Sequence, residues 1–230
     1  LLADQQQWPQ YLQLSPEQPK SLGLQCRYYE ARWQTGAKEE AYRFVDEIWM
    51  HDASRPGECS SLFELWQTSG RMTNQKIWQR MLLLFANNDN DRVLDYLAEQ
   101  MTESSSQAEA KQLASLYRKP QELTNLLPPA SPDASAIATL VLSRLAAQDA
   151  PLARTLLAQS VQRYGLSSPQ VIQVEGRIAR AFMLDRNADE RKWVDQALRR
   201  QHDPDLIELR LRQAVWDSDW SGVKRWVQRI

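Results

Sequence analysis

The sequence has 230 residues, including 7 glycines and 11 prolines, and a formal net charge of −1. This length is enough for one large domain or two small ones with a real hydrophobic core, and a net charge so close to zero indicates nothing about partners. No apolar run approaches the roughly 20 residues that a membrane-spanning helix needs, so no membrane span is predicted.

The first residues do not have the pattern of a signal peptide. Leu1 and Leu2 are followed at once by Ala3, Asp4 and three glutamines, and there is no initiator methionine. We therefore expect the chain to be a mature or trimmed piece of a longer protein. Its compartment has to be inferred from other features, above all from its two cysteines.

The spacing of apolar residues predicts helices almost throughout. Apolar side chains recur every three or four positions, and the strict alternation typical of strands is absent. The predicted helices lie near 4–13, 22–35, 37–51, 59–69, 73–87, 90–101, 106–117, 133–147, 150–164, 168–183, 188–201, 204–216 and 219–229. The fold class is therefore predicted to be all-α.

Several of these helices begin at residues that favour a helix N-terminus. A side-chain oxygen just before the first turn accepts a hydrogen bond from a backbone N–H group that otherwise has no partner. Proline is also well tolerated in the first turn. The predicted N-cap residues are Thr73, Ser131 before Pro132, Ser168 before Pro169, and Asp203 before Pro204.

The short connections predict that successive helices fold back as antiparallel hairpins. Four hairpins can be aligned by eye on a small residue followed three positions later by a large one. The pairs are Ala41 and Phe44, Val93 and Tyr96, Ala153 and Leu156, and Val223 and Trp226. A small residue opposite large ones lets two helices approach closely.

The intervals between the four hairpins are unequal, so a strict repeat array is not predicted. We expect an irregular right-handed superhelix, similar to a tetratricopeptide solenoid, in which each hairpin contacts mainly its neighbours. The prediction is a single domain over 1–230, with a loop break at 126–132, where three prolines cluster. A domain boundary at that loop is the alternative.

No motif for catalysis or cofactor binding is present. A glycine-rich phosphate loop and a Gly-x-Ser-x-Gly elbow are both absent, so no cofactor is predicted. His51 and His202 lie at predicted helix ends, where a surface or helix-dipole role is expected rather than that of a base. A zinc site built from Cys26, His51 and Cys59 matches no trusted ligand spacing. We predict no metal site and no catalytic residue.

Positive charge is concentrated in the second half of the chain. Residues 116–230 carry 17 Lys and Arg against 13 Asp and Glu, and 14 of the 17 are Arg. Solvated helix faces with ordinary ion pairs are the simpler interpretation, and an anionic partner is the alternative. The candidate contact residues are Arg177, Arg180, Arg199, Arg200, Arg210 and Arg212, which can hold carboxylates bidentately. Trp216, Trp220 and Trp226 are the candidates for stacking on a sugar.

A distinctive run in the first part of the chain carries a family resemblance. It consists of Gln25-Cys26-Arg27-Tyr28-Tyr29, then Trp33-Gln34-Thr35-Gly36, then Trp49, and finally Cys59. In this order and spacing, the run resembles the U-shaped superhelical domain of the large soluble lytic transglycosylases of Gram-negative bacteria. The resemblance is strong over 15–85 and looser over the rest of the chain.

The resemblance implies that the whole protein cleaves the β-1,4 bond between MurNAc and GlcNAc in peptidoglycan and leaves a 1,6-anhydro-muramyl end. In the family, one glutamate serves as acid and base, in Glu-Ser and Gly-Leu-Met-Gln motifs of a C-terminal lysozyme-like domain. Neither context occurs here, because the sole Glu-Ser pair, Glu103-Ser104, is followed by a polar run. We therefore expect this chain alone to be inactive and to act as a helical scaffold, which is U-shaped or ring-shaped in the family.

The resemblance also implies a compartment and partners. The protein is expected in the periplasm, with peptidoglycan glycan strands, its own catalytic domain and cell-wall synthesis proteins as partners, and without nucleic acid. A free-standing tetratricopeptide-like adaptor that binds peptide segments is the alternative, because helical solenoids support both functions. A lysozyme-like domain encoded downstream of Ile230 would favour the transglycosylase.

A disulfide between Cys26 and Cys59 is predicted. Cys26 lies near the start of one predicted helix, and Cys59 starts the next helix but one. In stacked hairpins those two helices run parallel as neighbours, so their starts lie at the same end. The two Cα atoms are then expected within the roughly 4.4–6.8 Å that a disulfide requires, and an oxidising periplasm keeps the bond formed.

Overall fold

The structure, a computed structural model, describes residues 2–50, 56–87 and 91–229. Helix accounts for 73% of the described chain, which contains no strand. The α-helices are α1 Trp8–Leu14, α2 Leu22–Gln34, α3 Lys38–Trp49, α4 Ser60–Thr68, α5 Asn74–Ala86, α6 Asp91–Glu99, α7 Ser104–Arg118, α8 Leu123–Leu126, α9 Ala134–Ala146, α10 Ala150–Arg163, α11 Ser168–Leu184, α12 Arg191–Leu198, α13 Pro204–Trp216 and α14 Trp220–Val227. The prediction of an all-α fold is confirmed.

Each predicted helix is present, with ends that differ by a few residues. The spacing of apolar residues did not predict the short α8, which follows a 3₁₀ turn at Pro120–Glu122. Such a short element has too few residues to show a helical repeat in the sequence. In the described ranges, none of the helices has both the length and the apolar character that crossing a bilayer requires.

The chain divides into two compact units, Leu1–Ala110 and Lys111–Ile230, called unit 1 and unit 2 below. In unit 1, α2 packs against α1, α3 and α4, and α5 packs against α6. In unit 2, α9, α10 and α11 pack against one another, and α11 also contacts α12 and α13. The predicted loop break at 126–132 lies inside unit 2. The single superhelical domain over 1–230 stays a prediction.

The disulfide in unit 1 joins Cys26 of α2 to Cys59, the last residue of a 3₁₀ turn directly before α4. The two Cα atoms are 4.9 Å apart, and both cysteines are fully buried. Stacking of α2 beside α4 brings the start of one helix next to the start of the other, as the hairpin pattern predicts. The prediction of the bond is confirmed.

Two tryptophans fill the space between α3, α4 and α5. The rings of Trp49 and Trp66 lie 5.1 Å apart, and both side chains are buried. Nε1 of Trp49 donates a hydrogen bond to the carbonyl oxygen of Lys76 at 2.9 Å, and Nε1 of Trp66 donates to Oδ1 of Asp46 at 3.1 Å. Burial of the large rings is therefore combined with hydrogen bonds for their polar atoms, which favours a unique packing.

The Trp-x-Thr-Gly motif ends α2. Oγ1 of Thr35 donates a hydrogen bond to the carbonyl oxygen of Ala31 at 2.8 Å, which satisfies an acceptor in the last turn. Gly36 follows with φ of +106°, a conformation that a residue with a side chain rarely adopts. The motif is therefore explained by the sharp turn between α2 and α3.

Two of the predicted N-caps are correct and two are not. Thr73 accepts from the backbone N–H of Lys76, and Asp203 accepts from those of Asp205 and Leu206. The cap of α11 is Ser167, which forms a capping box with Gln170, so the prediction of Ser168 was one residue late. The cap of α9 lies two residues after Ser131, at Asp133. Its φ of +56° places it in the left-handed region, which a sequence pattern does not reveal.

The predicted contact residues of the second hairpin are wrong by one position. Val93 and Tyr96 are 38% and 55% exposed. The buried face of α6 is formed by the next residue in each case, Leu94 and Leu97. In the fourth hairpin, an added Cβ atom at Gly222 of α14 would lie 3.3 Å from that of Ala214 in α13, so the two helices are close at this position.

Candidate ligand-binding cleft

Two of the predicted arginines line a cleft on α11 in unit 2. Arg177 and Arg180 are exposed and border a cavity of about 280 Å³. Gln173 and Gly176 border it as well, and these four positions recur every three or four residues on one face of the helix. The opposite wall comes from Gln201, Asp203 and Leu206, at the start of α13.

Gly176 allows the segment between α12 and α13 to come close to α11. A Cβ atom at this position would lie 3.1 Å from Oε1 of Gln201. The side chain of Gln201 is buried and fixed, because its Nε2 donates to the carbonyl oxygen of Ile172 at 2.6 Å. The floor of the cleft is therefore held in place before any ligand arrives.

The electrostatic character of the cleft is positive. Neither Arg177 nor Arg180 has an ion-pair or hydrogen-bond partner in the part of the chain that the structure describes. The one carboxylate on the lining, Asp203, accepts backbone hydrogen bonds at the N-terminus of α13. Two free guanidinium groups on one face of α11 favour the binding of a carboxylate or another planar anion.

Arg200 and Arg199 lie at the end of α12 and do not line this cleft. Arg200 is paired with the buried carboxylate of Glu175, whose Oε2 has no hydrogen-bond partner within the described residues. Burial raises the pKa of Glu175, and the nearby Arg200 opposes that rise. Arg199 is exposed. Arg200 is therefore occupied by an internal partner, whereas Arg199 is not.

The structure corrects the placement of Arg210. Its side chain is only 1% exposed, and its Nε donates to Oδ1 of Asp195 at 2.7 Å. Its Nη2 lies 3.9 Å from the carboxylate of Asp219. A buried guanidinium with two carboxylates belongs to the core, so the prediction that Arg210 lies on a binding surface is wrong. Arg212 is exposed and paired with Glu208 one turn away.

The candidate tryptophans also differ in exposure. Trp216 and Trp220 are 56% and 70% exposed, and the guanidinium of Arg186 lies 4.8 Å from the ring of Trp216. Trp226 is buried, so the prediction that it stacks on a ligand is wrong. Trp216 ends α13, whereas Leu206 of the cleft is near its start, roughly 15 Å away at 1.5 Å per residue. Neither of the two exposed tryptophans lines the cleft.

The neutral residues of the cleft were not predicted as site residues from the sequence; they are Gln173, Gly176, Gln201 and Leu206. Gly176 is the one that carried a signal, because an isolated glycine within a helical pattern often marks a close approach of another segment. The described residues hold no group of three or more His, Cys, Asp or Glu side chains arranged for a metal ion. Both cysteines of the zinc hypothesis form the disulfide, and His51 lies outside the described residues.

Comparison with known proteins identifies relatives along the whole chain, although no family model matches it. The soluble lytic murein transglycosylase of Escherichia coli K12 is 31% identical over 232 aligned residues, which cover 100% of this chain and 36% of the relative. The enzyme of the same name from Salmonella typhimurium is 29% identical over the same share of each protein.

Solved structures agree with this result. The 70 kDa soluble lytic transglycosylase of Escherichia coli matches all of this chain with a TM-score of 0.88 and 30% identity, over 37% of that structure. The lytic transglycosylase Slt of Pseudomonas aeruginosa matches with a TM-score of 0.72 and 24% identity, a likeness of fold. The chain spans just over a third of the length of these relatives, and over its whole length it is homologous to the soluble lytic murein transglycosylases.

Proposed function

We propose that this chain is a non-catalytic helical domain of a periplasmic lytic transglycosylase and that it helps to hold peptidoglycan. The whole protein would cleave the MurNAc–GlcNAc bond of peptidoglycan with a 1,6-anhydro-muramyl product. Homology over the full chain supports this proposal. The oxidised pair Cys26–Cys59 supports the compartment, because disulfides persist mainly in oxidising environments such as the periplasm.

The surroundings of Glu103 support the non-catalytic assignment. This residue belongs to the sole Glu-Ser pair, and its carboxylate accepts a hydrogen bond from Oγ of Ser106 at 3.3 Å. Both residues lie at the exposed beginning of α7, where a carboxylate favours the helix dipole. A glycosidic acid needs a positioned site around the scissile bond, so Glu103 is assigned to the helix start.

The observation that carries the binding role is the pair of unpartnered arginines in the α11 cleft. Murein stem peptides carry carboxylates, and Arg177 and Arg180 would hold such a group bidentately. Trp216 and Trp220 would offer ring faces to sugars outside the cleft. Contacts of exposed charges are individually weak, so the affinity should be modest and sensitive to salt.

The experiment is a pull-down of the purified chain with sacculi at low and high salt. The double variant R177Q/R180Q is expected to bind roughly three- to tenfold more weakly than the parent at low salt, because it loses two charge-assisted contacts. The matched control is K192Q/K224Q. It also removes two exposed positive charges from unit 2, at positions that do not line the cleft.

Equal binding of R177Q/R180Q and the parent, or binding that high salt leaves unchanged, would contradict the arginine cleft. A second assay tests catalysis by mass spectrometry of the sacculi after incubation. We expect no anhydro-muropeptides from this chain alone, and their release would contradict the non-catalytic assignment.

A further inference from the structure

A second cleft, in unit 1, lies between α2, α3 and the segment that precedes α2. Its volume is about 520 Å³, within the usual range for a small-ligand site. It is built partly from the segment that carries the family resemblance, since Gln25 and Tyr29 both line it. None of its residues belongs to the arginine cleft of unit 2.

The floor of this cleft is apolar. The ring of Tyr29 stacks on that of Phe44, with centroids 4.2 Å apart and planes 17° from parallel, and Ile48 lies one turn further along α3. The hydroxyl of Tyr29 donates to Oε1 of Gln18 at 3.2 Å. Burial raises the pKa of Tyr29, and the carboxylates of Glu40 and Glu47 add to the rise, so the phenol stays protonated at neutral pH.

The walls carry one free positive and one free negative group. Arg43 and Glu47 lie one turn apart on α3, both are exposed, and neither has an ion-pair or hydrogen-bond partner in the described ranges. The third charged residue on the lining, Glu40, is already paired, because Nε and Nη2 of Arg32 donate to its Oε2 at 3.0 and 2.7 Å.

Side chains four positions apart on a helix are neighbours, with Cβ atoms roughly 5–6 Å apart, and opposite charges at this spacing commonly pair. Here the arginine precedes the glutamate, which is the less favourable order for such a pair. Two opposite charges therefore face the same cleft, at a short separation, and each is available to a ligand.

We propose that this cleft binds the zwitterionic head group of an α-amino acid. The ligand carboxylate is held by Arg43, its ammonium group by Glu47, and its aliphatic side chain lies on Tyr29, Phe44 and Ile48. A simple anion or cation would leave one of the two charges unpaired, and an uncharged sugar would leave both.

This amino-acid site deepens the proposed function, because the assignment of the ligand to peptidoglycan rests on that function. A diamino acid in a murein stem peptide carries such a head group at the end that is not cross-linked. A free amino acid has the same chemistry, so the experiment has to separate the two sources.

The test is calorimetric titration of the full chain with three probes that share a side chain and differ in the charged groups of the head. Norleucine has both charges, N-acetylnorleucine keeps the carboxylate alone, and norleucine amide keeps the ammonium group alone. Norleucine is expected to bind roughly three- to tenfold more tightly than either derivative, because each lacks one charge-assisted contact.

Variants assign each charge to its residue. E47Q should bind norleucine and N-acetylnorleucine with equal affinity, because it has lost the partner of the ammonium group. R43Q should bind norleucine and norleucine amide with equal affinity, because it has lost the partner of the carboxylate. E64Q is the control, because Glu64 is an exposed glutamate of unit 1 outside the cleft, and it should bind as the parent does. Equal affinity for the three probes, no binding of norleucine, or occupation of the cleft by a chitin oligosaccharide instead would overturn the proposal.

A last arm compares two muropeptides, one with the diamino-acid head group free and one with its amino group acetylated. Preference for the free form supports a stem-peptide source. If norleucine binds but the two muropeptides bind equally, the amino-acid site is supported and its link to peptidoglycan is contradicted. The outcome is independent of the sacculus assay on Arg177 and Arg180, which lie in unit 2, so the two proposals fail separately.

Discussion

The two units of the molecule stabilise helical hairpins in different ways. Unit 1 has a disulfide between α2 and the turn before α4, together with the buried rings of Trp49 and Trp66. Unit 2 contains no cysteine, and two of its glycines leave room for a neighbouring side chain: Gly176 for Gln201 and Gly222 for Ala214. Hairpins are therefore supported by a covalent bond and large rings in unit 1, and by side chains that pack closely against glycines in unit 2.

Charged side chains are buried in both units, and unit 1 buries Glu30 and Arg80. The described core of unit 2 contains the buried guanidinium of Arg210 with its partner Asp195, and the half-satisfied carboxylate of Glu175. Such groups carry a desolvation penalty that only a well-placed partner offsets. Both units should therefore respond to mutations of their buried charged residues. Unit 2 should also respond to pH through Glu175, and unit 1 to reduction of its disulfide.

The largest expected effect is the loss of the disulfide. The double variant C26A/C59A should lower the free energy of unfolding of unit 1 by about 3–4 kcal/mol, because the bond closes a loop of this size in the unfolded chain. The measurement is urea unfolding, with hydrogen exchange to resolve the two units.

The control for this prediction is the exchange of backbone amides in α9, α10 and α11. These helices belong to unit 2, so their protection should stay close to that of the parent. If loss of the disulfide lowered protection equally in both units, the two units would unfold together and the comparison between them would not hold.

The sequence was sufficient to predict the disulfide and every helix of the described chain except the short α8. Both depend on local periodicity and on the length of the chain between Cys26 and Cys59, which are visible in the sequence. Choosing between neighbouring apolar residues was less reliable. Val93 and Leu94 are both apolar, and only the packing of α6 shows that Leu94 is the buried one.

The candidate site was predictable only in part, for a related reason. Arg177 and Arg210 have similar helical contexts in the sequence, yet one borders a cleft and the other is buried. The difference depends on Asp195, which lies 15 residues before Arg210 and meets it only after α12 packs beside α13. Partners distant in the sequence therefore decide which arginines are free, and composition does not reveal them.

The buried ion pair gives the second prediction. D195A should destabilise unit 2 by about 2–4 kcal/mol, because it leaves the guanidinium of Arg210 buried with only the more distant Asp219. R210M should cost about 1 kcal/mol, because Asp195 stays partly exposed and near Arg225. Urea unfolding measures both, and D185A serves as an exposed control in the same unit.

The inequality between the two variants is the informative result. If R210M destabilised unit 2 more than D195A does, the guanidinium would contribute mainly as a packing and bonding group rather than as a charge that needs compensation. The difference between the two units would then rest on the disulfide of unit 1 and not on the buried charge of unit 2.

The smallest expected effect is a change in the pH dependence of stability at Glu175. Burial raises its pKa above the ordinary value of 4.5. For a carboxyl whose pKa is raised in the folded state, the associated stability is fully present below the unfolded pKa and is lost as pH rises through the folded pKa. The parent should therefore lose stability relative to E175Q between acid and neutral pH, because glutamine does not titrate.

Unfolding in urea at several pH values measures this difference, with E208Q as a control at an exposed glutamate of α13. The decisive result is the sign of the change in stability of the parent relative to E175Q as pH rises. If the two stability curves are parallel, or if the parent becomes more stable relative to E175Q, the ion pair with Arg200 fully offsets the burial of Glu175.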